Sequence, residues 1–127
     1  MKDVSGWAMP DHETHLGPWM ALPKNKLLLN GRQAYQGKKQ LAALKYVSNR
    51  RRVAIDVGGH VGLWSYNLAY AFLQVHAFEP VAGHRECFQR NVTQGNVKLH
   101  ALALGKEAGS VCITTENGSS GNSTVGG

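Results

Sequence analysis

The sequence predicts an α/β fold, a parallel sheet with flanking helices, and three observations carry that expectation. Val53-Ala-Ile-Asp-Val57 and Gln74-Val-His-Ala-Phe78 are short, nearly continuous apolar runs, the pattern of parallel strands buried on both faces. The intervening Leu63–Phe72 spaces Leu63, Tyr66, Leu68, Ala69 and Phe72 helically, and Gly83–Thr93 does so with Cys87, Phe88 and Val92. Strands alternating with such helices make βαβ units.

The remaining elements follow in chain order. Residues 1–36 hold Pro10, Pro18 and Pro23 together with Trp7 and Trp19, and read as an irregular arm that packs by its aromatics. Lys38–Ser48 carries Leu41, Ala42, Leu44, Tyr46 and Val47 on one side of a helix and lysines on the other. Val97–Leu104 reads as a third strand and Ser110–Thr115 as a fourth. Residues 117–127 are Gly, Ser, Asn and Thr apart from Val125, a loop composition. The expected organisation is therefore an arm over 1–36, a partial Rossmann-like cofactor-binding domain over 37–116, and a loop over 117–127.

Composition narrows the function classes. At 127 residues and 43% hydrophobic, the chain suffices for one domain with a modest core. It has no apolar run of transmembrane length, and Met1-Lys-Asp-Val-Ser-Gly-Trp7 lacks the apolar core of a secretory signal. The expectation is a cytoplasmic protein with no membrane partner. Cys87 and Cys112 lack metal or redox spacing and read as reduced thiols, so the three Asn-x-Ser/Thr matches carry no weight. Much of the net charge of +6 comes from the lysines and arginines between Lys24 and Arg52. A solvated helix face accounts for that stretch; without a nucleic-acid-binding motif beside it, nucleic acid is not the expected partner. Asp11-His12-Glu13-Thr14-His15 could hold a metal, but two histidines three apart on a Pro-flanked loop are read as surface.

The chemistry concentrates in the first βαβ unit. Asp56 ends the first strand, Gly58-Gly59-His60-Val61-Gly62 forms a turn opening a helix, and Glu79-Pro80 ends the second strand. Glycines let the chain turn sharply and let a ligand approach. An acid about twenty residues beyond them can accept both hydroxyls of a ribose. The pattern points to an adenosine-type cofactor at the carboxyl ends of the strands. A dinucleotide needs G-x-G-x-x-G for its pyrophosphate; counted from Gly58, the third and sixth positions are His60 and Leu63, so that spacing fails.

Ile55-Asp-Val-Gly-Gly-His-Val-Gly-Leu-Trp-Ser65, Val75-His-Ala-Phe-Glu-Pro80, Asn91, Asn96-Val97 and Ala103-Leu-Gly105 with Gly109 occur in the order that resembles the FkbM family of class I methyltransferases. The likeness covers about residues 50–125, with Gly59 and His60 where the family commonly has Ala-Asn. It implies S-adenosyl-L-methionine as cofactor and O-methyl transfer to a hydroxyl of a sugar or other small molecule. On this resemblance Asp56 organises the turn and meets the cofactor's ammonium, Gly58 and Gly62 give clearance, and Gly59 lies with them among the cofactor-binding residues. His60 contacts the aminoacyl end, Glu79 binds the ribose, and Pro80 stops the strand so that the acid projects. For Asp56 a helix-capping role, and for His60 a merely tolerated turn residue, stay open. Trp64 and Tyr66 read as helix core before substrate stackers, and no general base stands out.

Such a sheet has about seven strands, with the cofactor beside the point where strand order reverses. The family's later Lys-Ile-Asp-x-Glu-Gly-like segment is missing, so the expectation is a fold truncated after its third or fourth strand. Val53–Val57 is then a sheet edge, open to self-association or to a partner chain that completes the sheet. Two other readings stand beside this one: an NAD-type nucleotide module, and a basic non-enzymatic module binding nucleic acid or a partner.

Overall fold

A computed structural model describes residues 1–105 throughout and the backbone of Cys112–Glu116 and Ser119–Gly126. Its centre is a parallel sheet of β5 (Val53–Val57), β6 (Gln74–Phe78) and β7 (Val97–His100), in that order, with Asp56 opposite Ala77 and Phe78 opposite His100. Helices α3 (Ser65–Ala71) and α4 (Ala82–Asn91) form the crossovers, so the expected α/β architecture is present. Helix α2 (Gly37–Tyr46) precedes β5, and Arg51 closes its end by donating to the carbonyls of Leu44 and Val47.

The first 36 residues differ from the irregular arm expected of them. They hold a hairpin of β1 (Lys2–Val4) and β2 (Trp7–Met9), the short helix α1 (Leu16–Ala21), a 3-10 turn at Pro23–Asn25, and a second hairpin of β3 (Leu28–Leu29) and β4 (Arg32–Gln33). The cause is local. Ser5-Gly6 and Asn30-Gly31 both adopt positive φ at both positions, the two-residue turn whose twist matches that of paired strands. The expected packing by aromatics does occur: Trp7 is fully buried, its ring edge-on to Tyr66 at 5.3 Å, and its Nε1 donates to the Gln33 carbonyl.

The core joins this segment to the βαβ units. Trp7, Met9 and Met20 pack with Val61, Leu63 and Tyr66 of the turn and α3, and with Cys87, Phe88 and Val92 of α4 and its end. Asn91 locks the two parts: its amide exchanges hydrogen bonds with Ala8 N–H and carbonyl, and donates also to the Val61 carbonyl. Arg32 stacks 3.7 Å over the Trp7 ring while donating to the carbonyls of Gly6 and Asn91.

Two further expectations are corrected. Cys112–Glu116 (β8) forms near the expected fourth strand but pairs antiparallel with Ser119–Gly126 (β9), in a two-stranded sheet apart from the parallel one. Most of the span read as a loop over 117–127 is thus extended and paired through its backbone. Among the described residues only one face of β5 is covered, because α3 and α4 lie on the side of Val75 and Ala77. Val53, Ile55 and Val57 point to the other side and are 52%, 62% and 62% exposed.

Asn91→Ala removes three hydrogen bonds from a buried position and leaves backbone groups of two elements unpaired. Urea denaturation is expected to show a loss of about 3 kcal/mol, against under about 0.5 kcal/mol for a surface change such as Arg90→Ala.

Candidate functional site

The turn after β5 is tied to the tip of β6. The N–H groups of Gly58 and Gly59 both donate to the Phe78 carbonyl, at 2.9 and 3.0 Å, and the N–H of His60 donates to Glu79 Oε1 at 2.8 Å. Gly58, His60 and Gly62 take positive φ, +72°, +53° and +94°. Gly62 N–H then bonds to the Gly59 carbonyl and the chain enters α3, where Ser65 Oγ donates to Asp56 Oδ2 at 2.6 Å. Asp56 therefore holds the start of the helix. Burial, with Glu79 adding to it, raises its pKa against the opposing Ser65 bond.

The glycines divide by role. A Cβ on Gly62 would lie 2.5 Å from Val92 Cγ2, and one on Gly59 3.2 Å from the Phe88 ring. Both are small so that α4 can pack closely. At Gly58 a Cβ would meet nothing within 4 Å, so there the backbone conformation alone selects glycine.

A cavity of about 390 Å³ opens at the carboxyl end of β5, within the size range of small-ligand sites. Asp56, Gly58, Gly59, His60, Leu63 and Trp64 form one wall. Glu13, His15, Leu16, Trp19 and Tyr35, from the N-terminal segment, form the other. Among the described residues that line it there are two carboxylates and no lysine or arginine. Four of the seven residues singled out in the sequence thus line the cavity: Asp56, Gly58, Gly59 and His60.

Gly62, Glu79 and Pro80 stand behind that wall. Glu79 is 5% exposed, its oxygens accept the N–H groups of His60 and Val81, and the His84 imidazole lies 3.5 Å away. Burial pushes its carboxyl up, but His84 and the N–H groups of Val81 and His60 outweigh burial and hold it below the usual value. Its carboxylate faces the turn, so a ribose would reach it only after a side-chain rotation. Pro80 and Glu79 carbonyls both accept from Arg85, which fixes the bend into α4. His84 is 2% exposed, edge-on to the His60 ring at 4.8 Å, and neither of its ring nitrogens has a hydrogen-bond partner among the described residues.

The N-terminal wall was not legible as part of a site. The Asp11–His15 cluster reads from sequence as surface; instead Glu13 is buried, and its Oε1 accepts the N–H groups of His15 and Leu16 at the start of α1. No group of three potential metal ligands occurs among the described residues. The basic stretch is partly structural, since Arg32 and Arg51 act in packing and capping as described above.

Burial, then His84, depress the His60 pKa to about 4, against weaker opposition from Glu79 and Glu13. Between pH 6.5 and 4 the unfolded chain binds a proton that the folded chain refuses, so stability falls as pH falls through that window, by about 3 kcal/mol at most. His60→Asn, which suits a positive φ, is expected to flatten the fall in thermal midpoint between pH 6.5 and 4.5. Gly62→Ala is expected to cost about 3 kcal/mol through clash and backbone strain, and Gly58→Ala about 1 kcal/mol through strain alone, read by urea denaturation.

No family model matches the chain. It is 33% identical over 76 residues, 56% of its own length, to Methyltransferase 1 of Beauveria bassiana (strain ARSEF 2860). Those residues amount to 30% of that protein, so the chain spans under a third of the curated relative it matches. The similarity is that of a distant, partial relative of a methyltransferase.

Proposed function

We propose that this chain is the cofactor-binding part of an S-adenosyl-L-methionine-dependent methyltransferase of the FkbM type, acting on a hydroxyl of a sugar or other small molecule. The observation that carries the reading is the chemistry of the cavity: two carboxylates, Asp56 and Glu13, without a lysine or arginine among its described lining. S-adenosylmethionine presents an ammonium and a sulfonium, both cations. A dinucleotide presents a pyrophosphate, which needs free N–H groups or cationic side chains. Here the N–H groups of Gly58, Gly59 and His60 are already engaged by Phe78 and Glu79, so this turn offers them to no anion. Similarity to Methyltransferase 1 supports the same class of reaction.

The chain's own residues have definable tasks in this reading. S-adenosylmethionine, when bound, supplies an activated methyl group on its sulfonium. Asp56, fixed by Ser65, faces the cavity as the counter-charge for the ammonium. Gly58 leaves the backbone bare there, and His60 presents a neutral imidazole that can accept a hydrogen bond. Glu79 holds His60 in its left-handed conformation, and meets the ribose only after turning outward. Methyl transfer is an in-line displacement, so orientation is the larger share of the protein's contribution.

Titration calorimetry with S-adenosylhomocysteine, S-adenosylmethionine and NAD tests this. Heat with the first two and none with NAD is expected. Asp56→Asn is expected to weaken S-adenosylmethionine about tenfold, the loss of one partly buried ionic contact. Heat with NAD alone would sink the proposal.

A further inference from the structure

A second cavity, of about 290 Å³, shares Trp19 with the first. Tyr35 lines the first cavity and its chain neighbours Ala34 and Gln36 line the second, so Trp19 and this short segment form a common boundary. The second cavity is cationic. Lys24 of the 3-10 turn and Lys38 and Lys39 of α2 line it, and its described lining holds no carboxylate. All three lysines are exposed, and none is ion-paired with a described carboxylate. Fold stability does not account for them. Lys38 and Lys39 stand in the first turn of α2, which carries no acid, and positive charge there is unfavourable. Ammonium groups gathered around one concavity also repel each other. An anion placed among them relieves both costs.

The remaining lining suits a small hydroxylated body attached to that anion. Gln36 does not spend its amide on capping α2, and the half-buried Trp19 supplies apolar surface. The cavity is held in shape by polar contacts. Asn25 Nδ2 donates to the Trp19 carbonyl at 2.7 Å, and the buried Gln33 donates to the carbonyls of Met20 and Asn25. A phosphate monoester near neutral pH carries close to two negative charges on three acceptor oxygens; a carboxylate carries one charge on two. Three ammonium groups match the phosphate.

On the methyltransferase reading above, we propose that this cavity takes the phosphate of a phosphorylated sugar, so that the hydroxyl compound receiving the methyl group is a sugar phosphate. The shared boundary at Trp19 puts that phosphate next to the cofactor cavity. The N-terminal segment then has a functional reason for docking on the βαβ unit: with the start of α2, it builds the acceptor's anion site.

Titration calorimetry on the full chain compares glucose 6-phosphate, glucuronate and glucose. Glucose 6-phosphate is expected to bind more tightly than glucuronate, and glucose to give no heat. Raising NaCl from about 50 to about 300 mM is expected to weaken the glucose 6-phosphate complex. Lys38→Gln combined with Lys39→Gln is expected to weaken it about tenfold, two exposed ion pairs of about threefold each, and Lys24→Gln about threefold. Unchanged binding of S-adenosylhomocysteine by these variants shows that they fold. Lys45→Gln removes the same charge from the last turn of α2, outside the cavity, and is expected to leave glucose 6-phosphate binding unchanged. Equal weakening by Lys45→Gln, glucuronate binding as tight as glucose 6-phosphate, or no glucose 6-phosphate binding by a chain that binds S-adenosylhomocysteine overturns the sugar-phosphate proposal and leaves the methyltransferase reading standing. Binding of glucose 6-phosphate without S-adenosylhomocysteine removes the methyltransferase reading and, with it, the acceptor role; binding of neither removes both.

Discussion

Three consecutive N–H groups of the turn after β5, those of Gly58, Gly59 and His60, are anchored on two residues at the tip of β6, Phe78 and Glu79. That anchoring governs most of what surrounds it. It forces positive φ at Gly58 and His60, directs the chain into α3, and aims the His60 ring at the cavity. It also makes Glu79 a structural partner of the turn, buried beside His84. The N–H groups of Gly58, Gly59 and His60, used internally in this way, are not offered to a phosphate. The acid-before-proline at this strand tip completes the turn of the neighbouring strand.

The parallel sheet and its crossovers were legible because their signals are local and redundant. Apolar runs mark β5 and β6, helical spacing marks α3 and α4, and the inward residues Cys87, Phe88 and Val92 are buried as their spacing implies. The hairpins were legible in principle: Asn30-Gly31 between Leu29 and Arg32 is the strongest short-range hairpin signal a sequence carries. Three prolines nearby masked it. Whether β5 is covered on one face or two depends on elements far from it in sequence, so its apolar run could not decide. The same applies to the glycines, since only the position of Val92 shows that Gly62 is small for packing.

Half of the cavity was illegible for a similar reason. Trp19 and Tyr35 lie in different elements, and nothing local says that they meet near Asp56. Their placement follows from buried polar contacts of high specificity: Asn91 joins β2 to the turn, Gln40 donates to the Tyr35 and Leu63 carbonyls, and Asn67 donates to Gln40. An apolar interface could slide; one in which each buried amide must find its partner has few alternatives. Asn91 and Asn96, which form part of the family resemblance, do structural work here, with Asn96 capping the end of α3 through the Ala69 and Phe72 carbonyls.

β5 carries two loads. On its covered face Asp56 points to Ser65 and the cavity, while Ile55 and Val57, its immediate neighbours, present apolar side chains on the opposite, open face. The strand is also the edge of the parallel sheet. A one-residue slip in its register would exchange these sets and take Asp56 out of the site. Among the described residues its register is held by β6 and by the turn hydrogen bonds to Phe78. The pairing that orders β5 is thus the same pairing that positions the cavity's acid, so strand register and site geometry are one physical constraint.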